Sequence, residues 1–121
     1  MDNRKKILIF EDDVSILEIV TIILEDAGYH IAISETSHDI IEKVAELTPD
    51  LILMDNWIPD IGGKEATRLL KQHPLFQHIP VIYVTANSDI ASLAADAGAD
   101  DYLAKPFDLE DLENIVAKYL E

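Results

Sequence analysis

The sequence predicts an α/β fold, a parallel sheet sandwiched between helices, and three observations carry that prediction. Five short apolar runs alternate with five stretches of helical periodicity along 121 residues. The run "LILM" at residues 51–54 is apolar without a break, as suits a strand buried on both faces. The connections are short, and neither a linker-like tract, a low-complexity segment nor an internal repeat interrupts the alternation. A single domain over residues 1–121 is expected at this length.

The elements follow in order. "KILIF" (residues 6–10) is the first strand, and a helix over residues 14–27 ends at Gly28. Asp13 stands where a helix N-cap is wanted. "YHIAIS" (29–34) alternates in character and reads as a strand nearer an edge, followed by a helix over residues 37–47 that "TPD" stops. The strand at 51–54 runs into the loop "DNWIPDIGG", and a third helix covers residues 64–72, ahead of Pro74. "PVIYVT" (80–85) is the fourth strand, and a short helix at 90–97 stops at Gly98. "DYLA" (101–104) is the fifth. Asp108 then caps a last helix with Leu109, Leu112, Ile115, Val116, Tyr119 and Leu120 at helical spacing.

Composition narrows the function classes. The chain carries 24 acidic against 9 basic residues, a formal charge of −15. That balance repels phosphate backbones and anionic membrane surfaces, so neither nucleic acid nor membrane is expected as a direct partner. Cysteine is absent, which removes thiolate and disulfide chemistry. "MDNRKK" is not followed by an apolar h-region, so no secretory signal is expected, and the cytoplasm is the expected setting.

In an open doubly wound sheet, ligands bind beyond the carboxyl ends of the strands, at a topological switch point. Those ends carry Glu11, Asp12 and Asp13 after the first strand, Asp55 after the third, Thr85 after the fourth, and Lys105 with Pro106 after the fifth. Neighbouring carboxylates repel one another and raise their own pKa values, which a shared proton or a bound cation relieves. One lysine is too little to balance the cluster, so a divalent cation is the better answer. An oxygen-only donor set without His or Cys favours a hard ion, Mg²⁺, with Mn²⁺ as its substitute. Beside a cation, Asp55 is equipped to attack phosphorus and form an acyl phosphate, with Lys105 and Thr85 neutralising phosphoryl oxygens. "FEDD" occupies the turn where a dinucleotide fold places G-x-G-x-x-G, and no G-x-x-x-x-G-K-[ST] occurs.

Four segments, "ILIFEDD", "LILMDNWIPDIGG", "PVIYVTA" and "DYLAKPF", resemble in order and spacing the receiver domain of two-component response regulators, over essentially the full chain. The resemblance implies a flavodoxin-like sheet of order 2-1-3-4-5 with five helices. It implies that Glu11, Asp12 and Asp55 hold Mg²⁺, Asp12 more directly than Glu11, with the backbone carbonyl of Trp57 as a further ligand. Asp55 is then the phosphoacceptor, Thr85 the switch hydroxyl, Tyr102 the aromatic that follows it, and Lys105 the phosphate-binding lysine. Pro106 matches the family's proline after that lysine, usually joined by a cis bond. Pro59 and Gly63 match the turn into the third helix. The implied partners are a histidine kinase or histidine phosphotransfer protein, and a downstream effector or an output domain beyond the 121 residues. The final "NIVAKYLE" is compatible with either a complete chain or a fragment of a longer regulator.

Other readings compete. A phosphorelay intermediate would pass the group onward, and a pseudo-receiver would only bind partners. A small Mg²⁺-dependent phosphatase is disfavoured because phosphatases of the haloacid dehalogenase type place a second Asp two residues after the nucleophile, where this chain has Trp57. Trp57 has two readings, a shield that lengthens the life of the acyl phosphate or a rim residue without kinetic effect; Asn87 is a second tuning position. In the first helix, a step of about 100° per residue puts Ile16, Ile19, Val20, Ile23, Leu24 and Ala27 on a core-facing arc. Val14 and Ile22 fall outside it with Leu17 at the rim, a candidate docking face for a helical, histidine-containing donor. His30, His38, His73 and His78 lack ligand spacing, and Tyr29 and Tyr83 read as packing residues.

Overall fold

A computed structural model describes residues 4–121. Five strands, β1 (Lys6–Phe10), β2 (His30–Ser34), β3 (Leu51–Asp55), β4 (Val81–Thr85) and β5 (Asp101–Ala104), form one parallel sheet of order β2-β1-β3-β4-β5. Five helices alternate with them: α1 (Val14–Asp26), α2 (Ile40–Leu47), α3 (Gly62–Gln72), α4 (Ile90–Ala97) and α5 (Leu109–Leu120). The expected flavodoxin-like, doubly wound order is therefore present.

Alternation of side chains along the strands divides the core into two layers. Leu8, Phe10, Ile52, Met54, Val81 and Tyr83 face one way, where α2, α3 and α4 supply Val44, Leu70 and Ala94. Ile7, Ile9, Leu51, Leu53, Ile82 and Val84 face the other way, against Leu17, Val20 and Leu24 of α1 and Leu112 and Val116 of α5. The strand order reverses between β1 and β3, so the crevice at their carboxyl ends is the switch point where a ligand is expected. Glu11 and Asp55 stand on its two sides.

The structure adjusts several boundaries. Asp55 belongs to β3 and pairs in register with Val84 of β4, so the strand itself carries the acid. Helix α2 begins at Ile40 rather than residue 37, because Asp39 takes a left-handed φ of 55° and Ser37 is drawn into loop contacts. Helix α1 is seated differently from the sequence wheel. Leu17 is buried at 6% exposure while Ile19 is 57% exposed, and Ala27 also faces solvent. The buried arc centres on Leu17, Val20 and Leu24, a rotation of about 60° from the expected one. Packing against β2 and α5, which the helix's own apolar pattern does not encode, fixes that rotation.

Candidate functional site

The acid cluster is assembled by chain ends of β1 and β3. Glu11 follows Phe10 directly, and its N–H donates to the Ser34 carbonyl (3.1 Å), which extends the β1–β2 pairing by one step. Glu11 is 4% exposed, and its carboxylate accepts from the Asp13 N–H at 3.2 Å. Asp13 caps α1 as expected, accepting from Ser15 N (3.0 Å) and Ile16 N (3.3 Å). Asp12, between them, is exposed. One carboxylate oxygen each from Glu11, Asp12 and Asp55 lie within 4.8 Å of one another.

Lys105 enters from the opposite side. It follows β5, its N–H donates to the Thr85 carbonyl (2.9 Å), and its bond to Pro106 is cis, as the resemblance implied. Its ammonium donates to Glu11 Oε1 at 2.6 Å and to Asp55 Oδ1 at 3.4 Å. Burial opposes the lysine's charge, but these contacts outweigh it and raise its pKa. Asp55 is raised as well, by burial first and by the Glu11 charge second; Lys105 and the Trp57 backbone N–H offset this only in part. The cluster thus holds three carboxylates against one ammonium, and the excess negative charge has only oxygen donors around it. Those residues fit a hard divalent cation.

The phosphoacceptor candidate is rigidly framed. Gly63 N–H donates to the Asn56 carbonyl (3.0 Å), and Ile58, 2% exposed, anchors the β3–α3 loop in the core. A Cβ on Gly63 would stand 2.3 Å from the Asp55 carbonyl oxygen and 2.9 Å from Asn56 Cα, so only glycine fits there. On the far side of the loop, the Pro59 carbonyl accepts from Ser37 N (2.9 Å), Ser37 Oγ (2.7 Å) and Thr36 Oγ1 (3.2 Å), while Ile61 N donates back to Ser37 Oγ (2.9 Å). Ser37 was legible in the sequence only as a helix start.

Thr85 is 1% exposed and its hydroxyl accepts from the Asn87 N–H at 3.3 Å. Tyr102 lies on the neighbouring strand, β5, and is 43% exposed, turned toward solvent. Trp57 is 72% exposed, an arrangement that favours the rim reading over the shield. On α1, Val14 and Ile22 are exposed and border an apolar groove with Ile33, whereas Leu17 forms its buried wall rather than an exposed contact. Ile19, expected in the core, instead lines a second groove with Ala86, Pro106 and Phe107. Tyr83, read as packing, is fully buried, but its hydroxyl also donates to Asn56 Oδ1. Burial and the Asp55 charge push its pKa up to about 12, so it remains a donor.

The doubly wound fold thus gathers three carboxylates and one lysine at its switch-point crevice. The model of the response regulator receiver domain matches residues 7–117, and the chain belongs to that family. It is 40% identical over 109 residues to the response regulator ArlR of Staphylococcus saprophyticus, covering 88% of this chain and 48% of that protein. It is 34% identical over 111 residues to the DNA-binding response regulator MtrA of Mycolicibacterium paratuberculosis, covering 90% and 48%. The chain thus spans about half the length of these curated relatives. Among solved structures, a response regulator from Chloroflexus aurantiacus J-10-fl superposes with a TM-score of 0.91 at 31% identity, covering 98% of both chains. The receiver domain of the sensor histidine kinase PA1611 from Pseudomonas aeruginosa PAO1, which holds a magnesium ion in its active-site cleft, superposes at 0.88 with 28% identity, covering 97% and 98%. Among the described residues, no helix is long and apolar enough to cross a membrane.

Proposed function

We propose that residues 1–121 act as a phosphorylation-controlled receiver unit, with Asp55 as phosphoacceptor, Glu11, Asp12, Asp55 and the Trp57 carbonyl as the Mg²⁺ ligands, and Lys105 and Thr85 as the groups that bind the phosphoryl oxygens. The observation that carries this reading is the acid triad within 4.8 Å, with the Lys105 ammonium reaching two of its members. A bound Mg²⁺ would supply charge neutralisation for the phosphoryl group. Mn²⁺ suits the same donors.

Asp55 attacks as the carboxylate, which requires no general base. One of its oxygens forms the new P–O bond as the P–N bond of a phosphohistidine breaks. The electron pair of that bond stays on the imidazole nitrogen. Lys105 then exchanges part of its contact with Glu11 for a phosphoryl oxygen, and Thr85, freed from Asn87, donates its hydroxyl to another. Its movement leaves room for Tyr102 to turn inward, which changes the α4–β5–α5 surface offered to partners. Loss of the signal is attack of water on phosphorus, returning the Asp55 carboxylate and inorganic phosphate.

The donor in this proposal is a histidine kinase or histidine phosphotransfer protein whose helix seats on Val14 and Ile22 of α1. The receiver of the signal is a downstream effector or an output domain, and a cytoplasmic setting goes with both. A relay role is the second reading. Its support is a 35% identity over 115 residues with a segment forming 12% of the signal transduction histidine-protein kinase BarA of Escherichia coli.

The test is phosphotransfer from a histidine-phosphorylated protein and, separately, from acetyl phosphate. The reading expects a hydroxylamine-labile adduct from both donors, and Ile22→Glu is expected to slow the protein donor about tenfold or more while sparing acetyl phosphate. No adduct from either donor would leave a pseudo-receiver. Equal slowing of both donors would remove the docking role from α1.

A further inference from the structure

Asp55 is the last residue of β3, and Asn56 opens the turn that follows it. Asp55 turns into the acid cluster on the α1 and α5 side, sharing a crevice with Glu11, Leu53 and Val84. Asn56 turns toward the layer of α3 and α4, where Tyr83 is fully buried among Met54, Ile58 and Ala66. There the Tyr83 hydroxyl reaches across from β4 and donates to Asn56 Oδ1. The Asn56 carbonyl is held independently by the Gly63 N–H. The residue after the phosphoacceptor is therefore fixed by its side chain and by its backbone, one peptide before the Trp57 carbonyl.

We infer that Tyr83 and Asn56 form a positioning pair that holds the backbone from Asp55 to Trp57 in the geometry that binds the cation. The inference rests on the reading of Glu11, Asp12, Asp55 and the Trp57 carbonyl as the cation site. A buried hydroxyl costs free energy unless it is paired, so the Tyr83 tip needs a partner. Here the partner belongs to the one loop whose backbone the cation site uses. Outer contacts of this kind set metal affinity by limiting how far a ligand drifts from its place. Without the hydroxyl, Asn56 would keep its Gly63 contact but lose its tether to β4. The Trp57 carbonyl would then sample a wider range of positions.

The test is Mg²⁺ titration of the full chain followed by backbone-amide NMR, on wild type, Tyr83→Phe, Asn56→Ala and the double variant, with thermal midpoints recorded for each. Ile82→Val serves as a control that trims the neighbouring strand position without touching the loop. The Kd for Mg²⁺ is expected to rise about tenfold or more in each single variant. The double variant should show no further rise, because the two residues act as one unit. Ile82→Val should lower the thermal midpoint with Kd unchanged. A wild-type Kd in Tyr83→Phe, or an equal rise in Ile82→Val, would overturn the positioning role while leaving the cation site standing. A wild-type protein without a saturable Mg²⁺ response would overturn the site itself and the inference with it.

Discussion

Gly63 is where the frame around Asp55 has no slack, so Gly63→Ala is the sharpest perturbation of it. The added Cβ would meet the Asp55 carbonyl oxygen at 2.3 Å and Asn56 Cα at 2.9 Å. Carbon–oxygen contacts settle at about 3.3 Å, so the first turn of α3 must move about 1 Å from the phosphoacceptor's own peptide. The atoms met are backbone, and no rotamer change relieves them. Overpacking of this kind costs about 1–3 kcal/mol, equivalent to roughly 4–12 °C in thermal midpoint for a domain of this size. A misplacement of about 1 Å at reacting groups also costs about a hundredfold in rate. Scanning calorimetry and the rate of phosphorylation by acetyl phosphate measure the two effects together. Gly62→Ala is the control. Its Cβ comes no nearer than 4.0 Å to Asn56 O, but its φ of +82° strains any other residue. That variant should lose about 1 kcal/mol of stability and keep its rate. A Gly63→Ala protein with wild-type stability and wild-type rate would refute the argument that α3 sets the position of Asp55.

Two further outcomes follow from the electrostatics and from the rim. Asp55 binds its proton more tightly folded than unfolded, so stability is lost as pH rises through the folded value and the ionised group remains a cost at neutral pH. Asp55→Asn should therefore raise the denaturant midpoint at pH 7, with the gap closing as pH falls toward the ordinary carboxylate value; Lys105 keeps its 2.6 Å partner Glu11 throughout. A variant less stable than wild type at pH 7 would contradict this. Trp57, exposed at the rim, should matter little for the lifetime of the acyl phosphate, so Trp57→Asn is expected to change the decay rate by no more than about twofold. Decay ten times faster in that variant would restore the shielding role.

How much of this was readable from the chain differs from element to element. Strand positions were legible because buried parallel strands are apolar runs, and "LILM" ending on Asp55 announced both the core and the acid. Glu11, Asp12, Thr85 and Lys105 were legible because each ends a strand or lies within two residues of a strand's end, and the fold gathers those ends at one crevice. The seating of α1 was not. Its apolar residues, Val14, Ile16, Leu17, Ile19, Val20, Ile22, Ile23 and Leu24, cover more of the wheel than the core needs. Only contact with β2 and α5 selects the arc around Leu17 and Val20. Ser37 and Tyr83 were missed for a different reason. Their partners are Pro59 and Ile61 in one case and Asn56 in the other, more than 20 residues away along the chain, at distances that no local pattern records.

The central claim is that Asp55 carries the phosphoryl group, and intact-mass spectrometry after incubation with acetyl phosphate and Mg²⁺ tests it most directly. Wild type should gain one phosphoryl group that hydroxylamine removes, and Asp55→Asn should gain none while remaining folded. An adduct of equal yield in Asp55→Asn, or none in wild type, would contradict it.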